Sequence, residues 1–541
     1  MLTRIYRWFD RTILELGREF RLSYLPPLMV YVAAGISSLT AIVGTFFVKD
    51  YLGLSAEFLA ALGFWAGIPW ALKMPLGHLV DLIWRFKSIM VYIGATLIAT
   101  SLLIMIGLLT HTSAMSNILP VEAWFVISAL LAPVGYVVQD VVADAMTVEA
   151  VPHFDEKGEP VDATTKRLMH TTMQTLGRVA IVSGGIFVAL LNVALFDGVD
   201  TMTEPEKIRI YTDIYQLALV IPFVSVLGVM LGGALKLRDY RRLRQKGFER
   251  HEAWDKVHGN IEKTTPNWWI LGGSLVFVVF TLSVGLGDIP YNQEIIFIGS
   301  MGIILFLMSR LVKVLDDEAR RVLVGTAIII FIYRAMPTPG PGSTWWMIDD
   351  LGFDQQFLSV LSLISGSLAL FGMFIFRRFM AERSIAFVVG ALTIASTILA
   401  FPIVGMFYGL HELTMAMTGG VVDARFIALA DTALESPLGQ IAMIPMLAWI
   451  ANSAPANLKA TFFAVMASFT NLALSFSQLG TKYINQIYII TREVKDSTTK
   501  VVTSPADYSE LGVLLITVTT IGFVLPMAAI LLVRKTRLRS A

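Results

Sequence analysis

The stretch Asp140-Val-Val-Ala-Asp144-Ala-Met-Thr-Val-Glu149 places three carboxylates at the end of a long apolar run that begins near Val121. At about 100° per residue, Asp140 and Asp144 share one face of a helix, whereas Glu149 lies roughly opposite them and nearer the membrane surface. Carboxylates are costly in hydrocarbon and usually face a protein interior or a water-filled cavity. The pattern therefore predicts a proton or substrate site at Asp140 and Asp144. The alternatives are a buried charge cluster and a helix end that emerges into water.

The composition is that of an all-α integral membrane protein. Apolar residues make up 55% of the 541 and charged residues only 15%, and many apolar runs reach the ~20 residues that span a bilayer. We expect about fourteen spanning segments. Their approximate positions are 26–49, 56–80, 88–110, 121–147, 167–196, 211–236, 268–287, 292–313, 318–337, 355–379, 384–409, 421–451, 458–488 and 509–534.

Composition also excludes several functions. The net charge of +1 offers no broad basic face for a nucleic acid. The chain has no cysteine, and its seven histidines lack a metal-binding spacing. No phosphate-binding loop of the GxxxxGK[ST] type occurs. We therefore expect no metal, no cofactor, no nucleic-acid partner and no enzymatic activity.

The distribution of cations predicts the topology. Residues 1–22 alternate apolar and basic positions at helical spacing, which is typical of an amphipathic helix on the inner leaflet. Cations also collect in the loop 237–267 and in the tail after Arg534. Because cytoplasmic loops carry the excess of Lys and Arg, both termini are predicted to be cytoplasmic, in a cell (inner) membrane.

The sequence also repeats itself, because two short motifs of the first half return in the same order in the second. The pairs are Leu52-Gly53-Leu54 with Leu351-Gly352-Phe353, and Lys87-Ser88-Ile89 with Arg383-Ser384-Ile385. Parallel six-helix repeats around a central site are the plan of major-facilitator transporters. The predicted domains are therefore a six-helix bundle at 23–236, a basic linker at 237–267, two inserted helices at 268–315, and a second six-helix bundle with its tail at 316–541.

The end of the second segment resembles a known loop. It contains Pro69-Trp70, Lys73, Gly77 and Asp81, followed by Arg85, and it is similar to the loop between the second and third helices of the major facilitator superfamily. A small residue lets neighbouring helices approach closely, and an Asp beside cations can form a cytoplasmic latch. The resemblance implies a gating role for Gly77, Asp81 and Arg85, and we add Glu149 because it lies near the same surface.

The sequence resembles one family of that superfamily in more of its motifs. The Pro69-to-Asp81 stretch, the Asp140-to-Glu149 stretch and the run Asp431…Gln440-Ile441-Ala442…Pro445 together resemble the folate–biopterin transporter family. The chain departs from the family pattern at Met74, which separates Lys73 from Pro75, and at Asn457 and Lys459, where Gly and Glu are common. The resemblance implies a folate- or pterin-like solute.

Several other polar or aromatic residues in the spans are candidates for substrate binding. The set is Lys73, Gln139, Arg178, Gln440, Trp70, Trp65, Asp431 and Arg334. Arg178 lies near the midplane and is expected to function there or to pair with Asp140 and Asp144. Alternatives remain for the others: snorkelling for Arg334, an outer gate for Asp431, ties between helices for the glutamines, and packing for the tryptophans.

The combined interpretation is a secondary active transporter that works by alternating access. A proton gradient is the expected energy source, with Asp140 or Asp144 as the carrier, because burial lets a carboxylate bind and release a proton near neutral pH. The expected partners are the solute, protons and the lipid bilayer. The alternatives are a transporter of another organic anion or nutrient, and a receptor or scaffold that has a transporter fold but moves no solute.

Overall fold

The computed structural model describes residues 20–51, 54–71, 73–151, 163–199, 202–258, 268–286, 289–313, 315–376, 383–439, 441, 459–495, 502–536 and 538–540. The predicted amphipathic helix at 1–22 lies outside the described residues except for its last three. Regular structure in the described part is helical apart from a small antiparallel hairpin, which pairs Val494–Lys495 with Val502–Ser504.

Each predicted span of the first half coincides with helix. Three of the six are single helices and three are divided into two helices. In order, the helices are Leu25–Gly35 with Ala41–Tyr51, Ala56–Ala71 with Lys73–Leu82, Ser88–Thr110, Val121–Ala150, Ala163–Leu195, and Glu204–Ala218 with Val220–Gln245. Short 3-10 turns at Leu22–Tyr24, Ile36–Thr40 and Trp84–Phe86 and a short helix at Thr112–Ser116 lie before or between them.

The second half repeats this arrangement after the inserted pair. A linker helix, Arg250–His258, precedes the pair Trp268–Leu286 and Asn292–Val312, which form the seventh and eighth spans. The ninth to fourteenth spans contain Asp317–Arg334, Gln355–Ile375, Ile385–Leu399 with Phe401–Phe407, Ala424–Glu435 with the turn Ser436–Leu438, Lys459–Ile487, and Leu511–Lys535. Short helices at Pro341–Asp349 and Leu410–Met417 lie in the connections.

Among the described residues, nine segments are long and apolar enough to cross a membrane. The second span is not among them because its two described helices are each too short by themselves. The thirteenth, Lys459–Ile487, is long but carries a row of polar side chains. The expected multi-pass helical membrane protein is confirmed.

Three helices of the second half begin at a side chain that accepts a backbone hydrogen bond. Asp316, Ser384 and Asp423 each accept a hydrogen bond from the backbone N–H three residues further on, at the starts of the ninth, eleventh and twelfth spans. Such caps satisfy backbone donors that have no partner within the helix. The ends of these spans are therefore determined locally.

The third and fourth spans cross with their backbones almost in contact. A Cβ atom added to Gly94 would lie 2.6 Å from the carbonyl O of Gly135, and one added to Gly135 would lie 2.7 Å from the carbonyl O of Gly94. Only glycine permits this approach, as is common where membrane helices pack. The crossing fixes the position of the fourth span, which carries the carboxylates.

The two halves meet chiefly where the second span packs on the thirteenth and the fifth on the tenth. On the predicted outer side, Gln486 Nε2 donates to Glu57 Oε1 at 2.5 Å and Gln356 Nε2 donates to Asp197 Oδ1 at 3.1 Å. Arg492 also donates to the carbonyl O of Val48. Hydrogen bonds between the halves are therefore present on the predicted outer side.

The inserted pair packs over the junction between the halves. Lys482 Nζ of the thirteenth span lies 3.2 Å from Glu294 Oε1 of the eighth, and Tyr483 donates to the same carboxylate at 2.5 Å. On the other half, a Cβ atom added to Gly285 would lie 2.8 Å from the Trp65 ring. The insertion therefore contacts both six-helix bundles.

Candidate functional site

One lysine holds the two carboxylates of the fourth span. Lys73 Nζ, on the second span, lies 2.5 Å from Asp140 Oδ2 and 2.7 Å from Asp144 Oδ2. Asp140 and Asp144 are one helical turn apart, so a single ammonium group reaches both. The shared face expected from their spacing is therefore the face that meets the second span.

A tyrosine from the first span completes this group. The Tyr31 hydroxyl donates a hydrogen bond of 2.7 Å to Asp144 Oδ1, and the Tyr31 side chain is buried. We call Lys73, Asp140, Asp144 and Tyr31 the Lys73 cluster. Tyr31 was not among the predicted site residues, because one tyrosine in an apolar span gives no sign of which helix it faces.

The members of the Lys73 cluster differ in their access to solvent. The side chains of Lys73 and Asp140 are 18% and 17% exposed, whereas that of Asp144 is 39% exposed. Asp144 is therefore the carboxylate that water reaches most easily. With both carboxylates ionised, the formal charge of one ammonium and two carboxylates is −1.

Arg178 adds a positive charge to this region from the fifth span. Its charge acts on Asp140 and on Tyr31, yet within the described part of the chain it forms no direct ion pair. The predicted pairing of Arg178 with the two carboxylates is therefore not a direct ion pair among the described residues, and Lys73 is the cation that contacts one oxygen of each. Lys73, predicted as a substrate ligand, is instead the direct partner of the predicted proton carriers.

Two cations, one from each half, act on each other through their charges. Arg334, the last residue of the ninth span, and Arg178 of the fifth span lie close enough for their charges to repel. One belongs to each six-helix bundle. An anion between them would be attracted by both halves at once.

Acidic side chains of the twelfth span lie in the second half. Asp431 is 7% exposed, and its Oδ1 has no hydrogen-bond partner among the described residues. The Glu435 carboxylate, one turn further on, acts on Asp431 and on Tyr333 of the ninth span. Asp431 is therefore buried, whereas the side chain of Glu435 is exposed.

Gln139 and Trp65 make contacts that hold helices together. Gln139 Nε2 donates to Ser225 Oγ at 2.9 Å and to the carbonyl O of Val91 at 3.2 Å, which joins the third, fourth and sixth spans. Trp65 packs edge-on against Phe64 at 5.7 Å and contacts the inserted pair. The helix-tying and packing alternatives account for these two residues, and we leave both out of the ligand site.

Of the remaining predicted substrate contacts, Trp70 is described in part and Gln440 is not described. The carbonyl O of Trp70 accepts a hydrogen bond of 3.2 Å from Asn471 Nδ2, which links the second and thirteenth spans. Gln440 lies outside the described residues. Among those that are described, no group of three or more His, Asp or Glu side chains could hold a metal ion.

Glu149 is the centre of a second ionic group at the predicted inner surface. It accepts hydrogen bonds from Lys87 and, at 2.8 Å, from Lys236 Nζ. Lys87 also lies over the Trp84 ring, 3.9 Å from its centroid. We call Glu149, Lys87 and Lys236 the Glu149 cluster; it joins the inner ends of the third, fourth and sixth spans.

The other predicted gating residues are placed only in part. The side chains of Asp81 and Arg85 lie outside the described residues. No described atom lies within 4 Å of a Cβ built on Gly77. The close helix approach expected at Gly77 is not seen with any described residue, and its gating role stays a prediction.

The fold is that of a transporter of the major-facilitator type. It is similar to the crystal structure of the nucleoside transporter NupG, with a TM-score of 0.54, 11% identity, and coverage of 94% of this chain and 99% of that one. It is also similar to a peptide transporter POT in complex with sulfate, with a TM-score of 0.57, 14% identity, and coverage of 95% and 94%. At these identities the likeness concerns the fold alone.

The family follows from the sequence. Residues 34–540 match the model of the BT1 family, and the chain belongs to that family. A folate-biopterin transporter of Synechocystis sp. is 22% identical over 475 residues, which are 86% of this chain and 76% of the relative. Folate transporter 2 of Plasmodium falciparum is 26% identical over 184 residues, 32% of this chain and 36% of the relative. The chain is thus a multi-pass membrane transporter, and neither its family nor its fold is that of an enzyme.

Proposed function

We propose that this transporter moves a folate- or pterin-like solute by alternating access and that proton binding to the Lys73 cluster drives it. The observation that supports coupling best is the single ammonium of Lys73 between two carboxylates of unequal exposure. The folate part of the proposal is supported by family membership and by the names of the relatives.

Protonation of Asp144 would change what Lys73 can hold. A proton on this more exposed carboxylate brings the formal charge of the three groups from −1 to zero and removes one of the two ion pairs of Lys73. Lys73 then keeps only its ion pair with Asp140, and its ammonium is free to shift towards that carboxylate. The second span, which carries Lys73, packs on the thirteenth span of the other half. Proton binding is thereby connected to the contact between the halves.

The solute is proposed to bind between Arg178 and Arg334. A carboxylate tail in that position would relieve the repulsion between two cations that belong to opposite halves. Charge-assisted hydrogen bonds to a carboxylate are roughly twice as strong as neutral ones. An anionic solute would therefore favour the state in which both halves approach it.

The flat ring of the solute needs acceptors for its N–H groups. Asp431 Oδ1 is buried and has no hydrogen-bond partner among the described residues, so it is the acceptor we assign to this role. Trp70 and Gln440 remain predicted ring contacts. Alternating access requires the outer contacts at Glu57 and Asp197 to break, since both join the halves.

Uptake by the purified protein in proteoliposomes tests the proposal. We expect labelled folate to accumulate when an inward proton gradient is imposed and to stop accumulating when a protonophore collapses the gradient. Biopterin is the matched solute that has the ring but no carboxylate tail. If another organic anion is transported and neither folate nor biopterin is, the proposed solute is rejected, whereas the transport activity is supported. Accumulation that ignores the protonophore would reject proton coupling.

A further inference from the structure

A cavity lies at the predicted inner end of the sixth span, and none of its lining residues belongs to the Lys73 cluster. The cavity is open to solvent and has a volume of about 940 Å³. It lies between the helix Val220–Gln245 and the linker helix Arg250–His258. Three cations line it, Lys236, Arg244 and Arg250. We call it the sixth-span cavity.

The charge of the sixth-span cavity is positive. Among the described residues, the one carboxylate that lines it is that of Glu249, which has an oxygen 3.4 Å from His251 Nδ1; both side chains are 77% exposed. Arg244 is positioned by a hydrogen bond of 2.8 Å to the carbonyl O of Phe248. A cluster of cations immediately beyond a membrane helix is an expected binding place for an anionic headgroup.

Aromatic and apolar side chains continue from the cavity onto the surface of the span. The rings of Tyr240 and Trp254 line the cavity and pack edge-on with centroids 6.1 Å apart. Trp254 is 43% exposed, and Leu237 and Met230 are 49% and 57% exposed. Amphipathic rings of this kind prefer the membrane interface. The ligand therefore has an anionic head and an apolar part.

We propose that the sixth-span cavity binds the phosphate headgroup of an anionic membrane lipid, with the acyl chains along Leu237 and Met230. The shared chemistry is a phosphate anion, which free phosphate could also supply. The apolar surface beside the cavity favours the lipid.

Lys236 connects this cavity to the Glu149 cluster. It lines the cavity and also donates to Glu149 Oε2 at 2.8 Å. A bound phosphate would compete with Glu149 for the same ammonium. Lipid binding would thereby loosen the tie between the inner ends of the fourth and sixth spans.

Thermal unfolding of the full-length protein in detergent tests the proposal. The protein is titrated with a short-chain phosphatidylglycerol, with the matched zwitterionic phosphatidylcholine, and with inorganic phosphate. The test variant is Arg244→Gln with Arg250→Gln. The control is Arg241→Gln with Arg242→Gln, which removes two cations from the same helix that do not line the cavity.

We expect phosphatidylglycerol to raise the melting temperature of the parent and control proteins in a saturable way. Binding to the test variant should be weaker by about tenfold to thirtyfold, since each cation near an anionic lipid contributes a roughly threefold to fivefold change in affinity. Equal response to phosphatidylcholine, or equal weakening in the test and control variants, would overturn the proposal. If inorganic phosphate raises the melting temperature at concentrations similar to those of phosphatidylglycerol, the ligand is free phosphate and the lipid proposal is overturned. A test variant that does not elute as a folded species is replaced by Arg250→Gln alone, for which the same comparison applies.

Discussion

Tyr31 and Asp144 lie 113 positions apart in the sequence, yet the Tyr31 hydroxyl donates a hydrogen bond of 2.7 Å to Asp144 Oδ1. The bond joins the first span to the fourth, and Lys73 joins the second span to the same carboxylate. Three helices of one bundle therefore meet at a single acidic side chain. A change in the charge of Asp144 would therefore alter the contacts of all three helices.

The Tyr31→Phe substitution removes only the hydroxyl group of this contact. We expect it to destabilise the protein by about 1.5–3 kcal/mol, the usual contribution of a hydrogen bond to a charged group. Thermal unfolding of the purified protein is the measurement. Tyr215→Phe is the matched control, because Tyr215 is buried and its hydroxyl has no hydrogen-bond partner among the described residues. An equal loss of stability in both variants would contradict the assigned role.

Asp144→Asn should separate solute movement from proton movement. The amide keeps the shape of the side chain but cannot carry the proton, so we expect accumulation against a gradient to be lost while exchange down a gradient continues. Uptake by proteoliposomes with and without an imposed pH gradient is the measurement. Asp213→Asn, an exposed acid of the sixth span, is the control. Should only Asp140→Asn uncouple transport, the carrier is the deeper carboxylate.

Arg178→Gln should distinguish a folate from a simple pterin. Losing a charge-assisted bond to a carboxylate costs about 1.5–3 kcal/mol, which corresponds to a roughly tenfold to 150-fold weaker uptake of folate. Biopterin has no carboxylate tail and should be affected much less. Competition uptake assays compare the two solutes, with the exposed Arg209→Gln as control. Equal losses for both solutes would make Arg178 a structural or proton-coupling residue.

The outer contacts provide a test of alternating access. The chain has no cysteine, so Glu57→Cys combined with Gln486→Cys introduces one reactive pair where the side chains now meet at 2.5 Å. We expect a short thiol cross-linker to hold the halves closed and to abolish uptake until it is cleaved. Each single substitution should remain active after the same treatment. Full activity in the cross-linked protein would exclude opening at this position.

The predicted topology can be tested by labelling. Gly247→Cys lies in the basic linker and Ser343→Cys lies in the connection after the ninth span. Since cations are retained on the cytoplasmic side, an impermeant thiol reagent added to intact cells should label the second variant and spare the first. The reverse pattern would invert the assigned orientation, and with it the sides given to the Glu149 cluster and to the sixth-span cavity.

Local regularities of the sequence determined the positions of the helices and the pairing of two acids. Apolar runs of bilayer length predict the spans, because a membrane-crossing backbone must satisfy its hydrogen bonds within each helix. The third span was predicted at 88–110 and is observed at Ser88–Thr110. Asp140 and Asp144 share a face because the helical repeat is set by the backbone itself.

The partners of those acids depended on the tertiary structure. Which face of one helix meets which neighbour is decided by packing, for example by the contact between Gly94 and Gly135 that positions the fourth span. For that reason Lys73, and not Arg178, holds both carboxylates. The same packing turned Gln139 towards Ser225. Helical periodicity orders residues around one axis, whereas a binding site requires the relative rotation of several axes, which only the folded chain supplies.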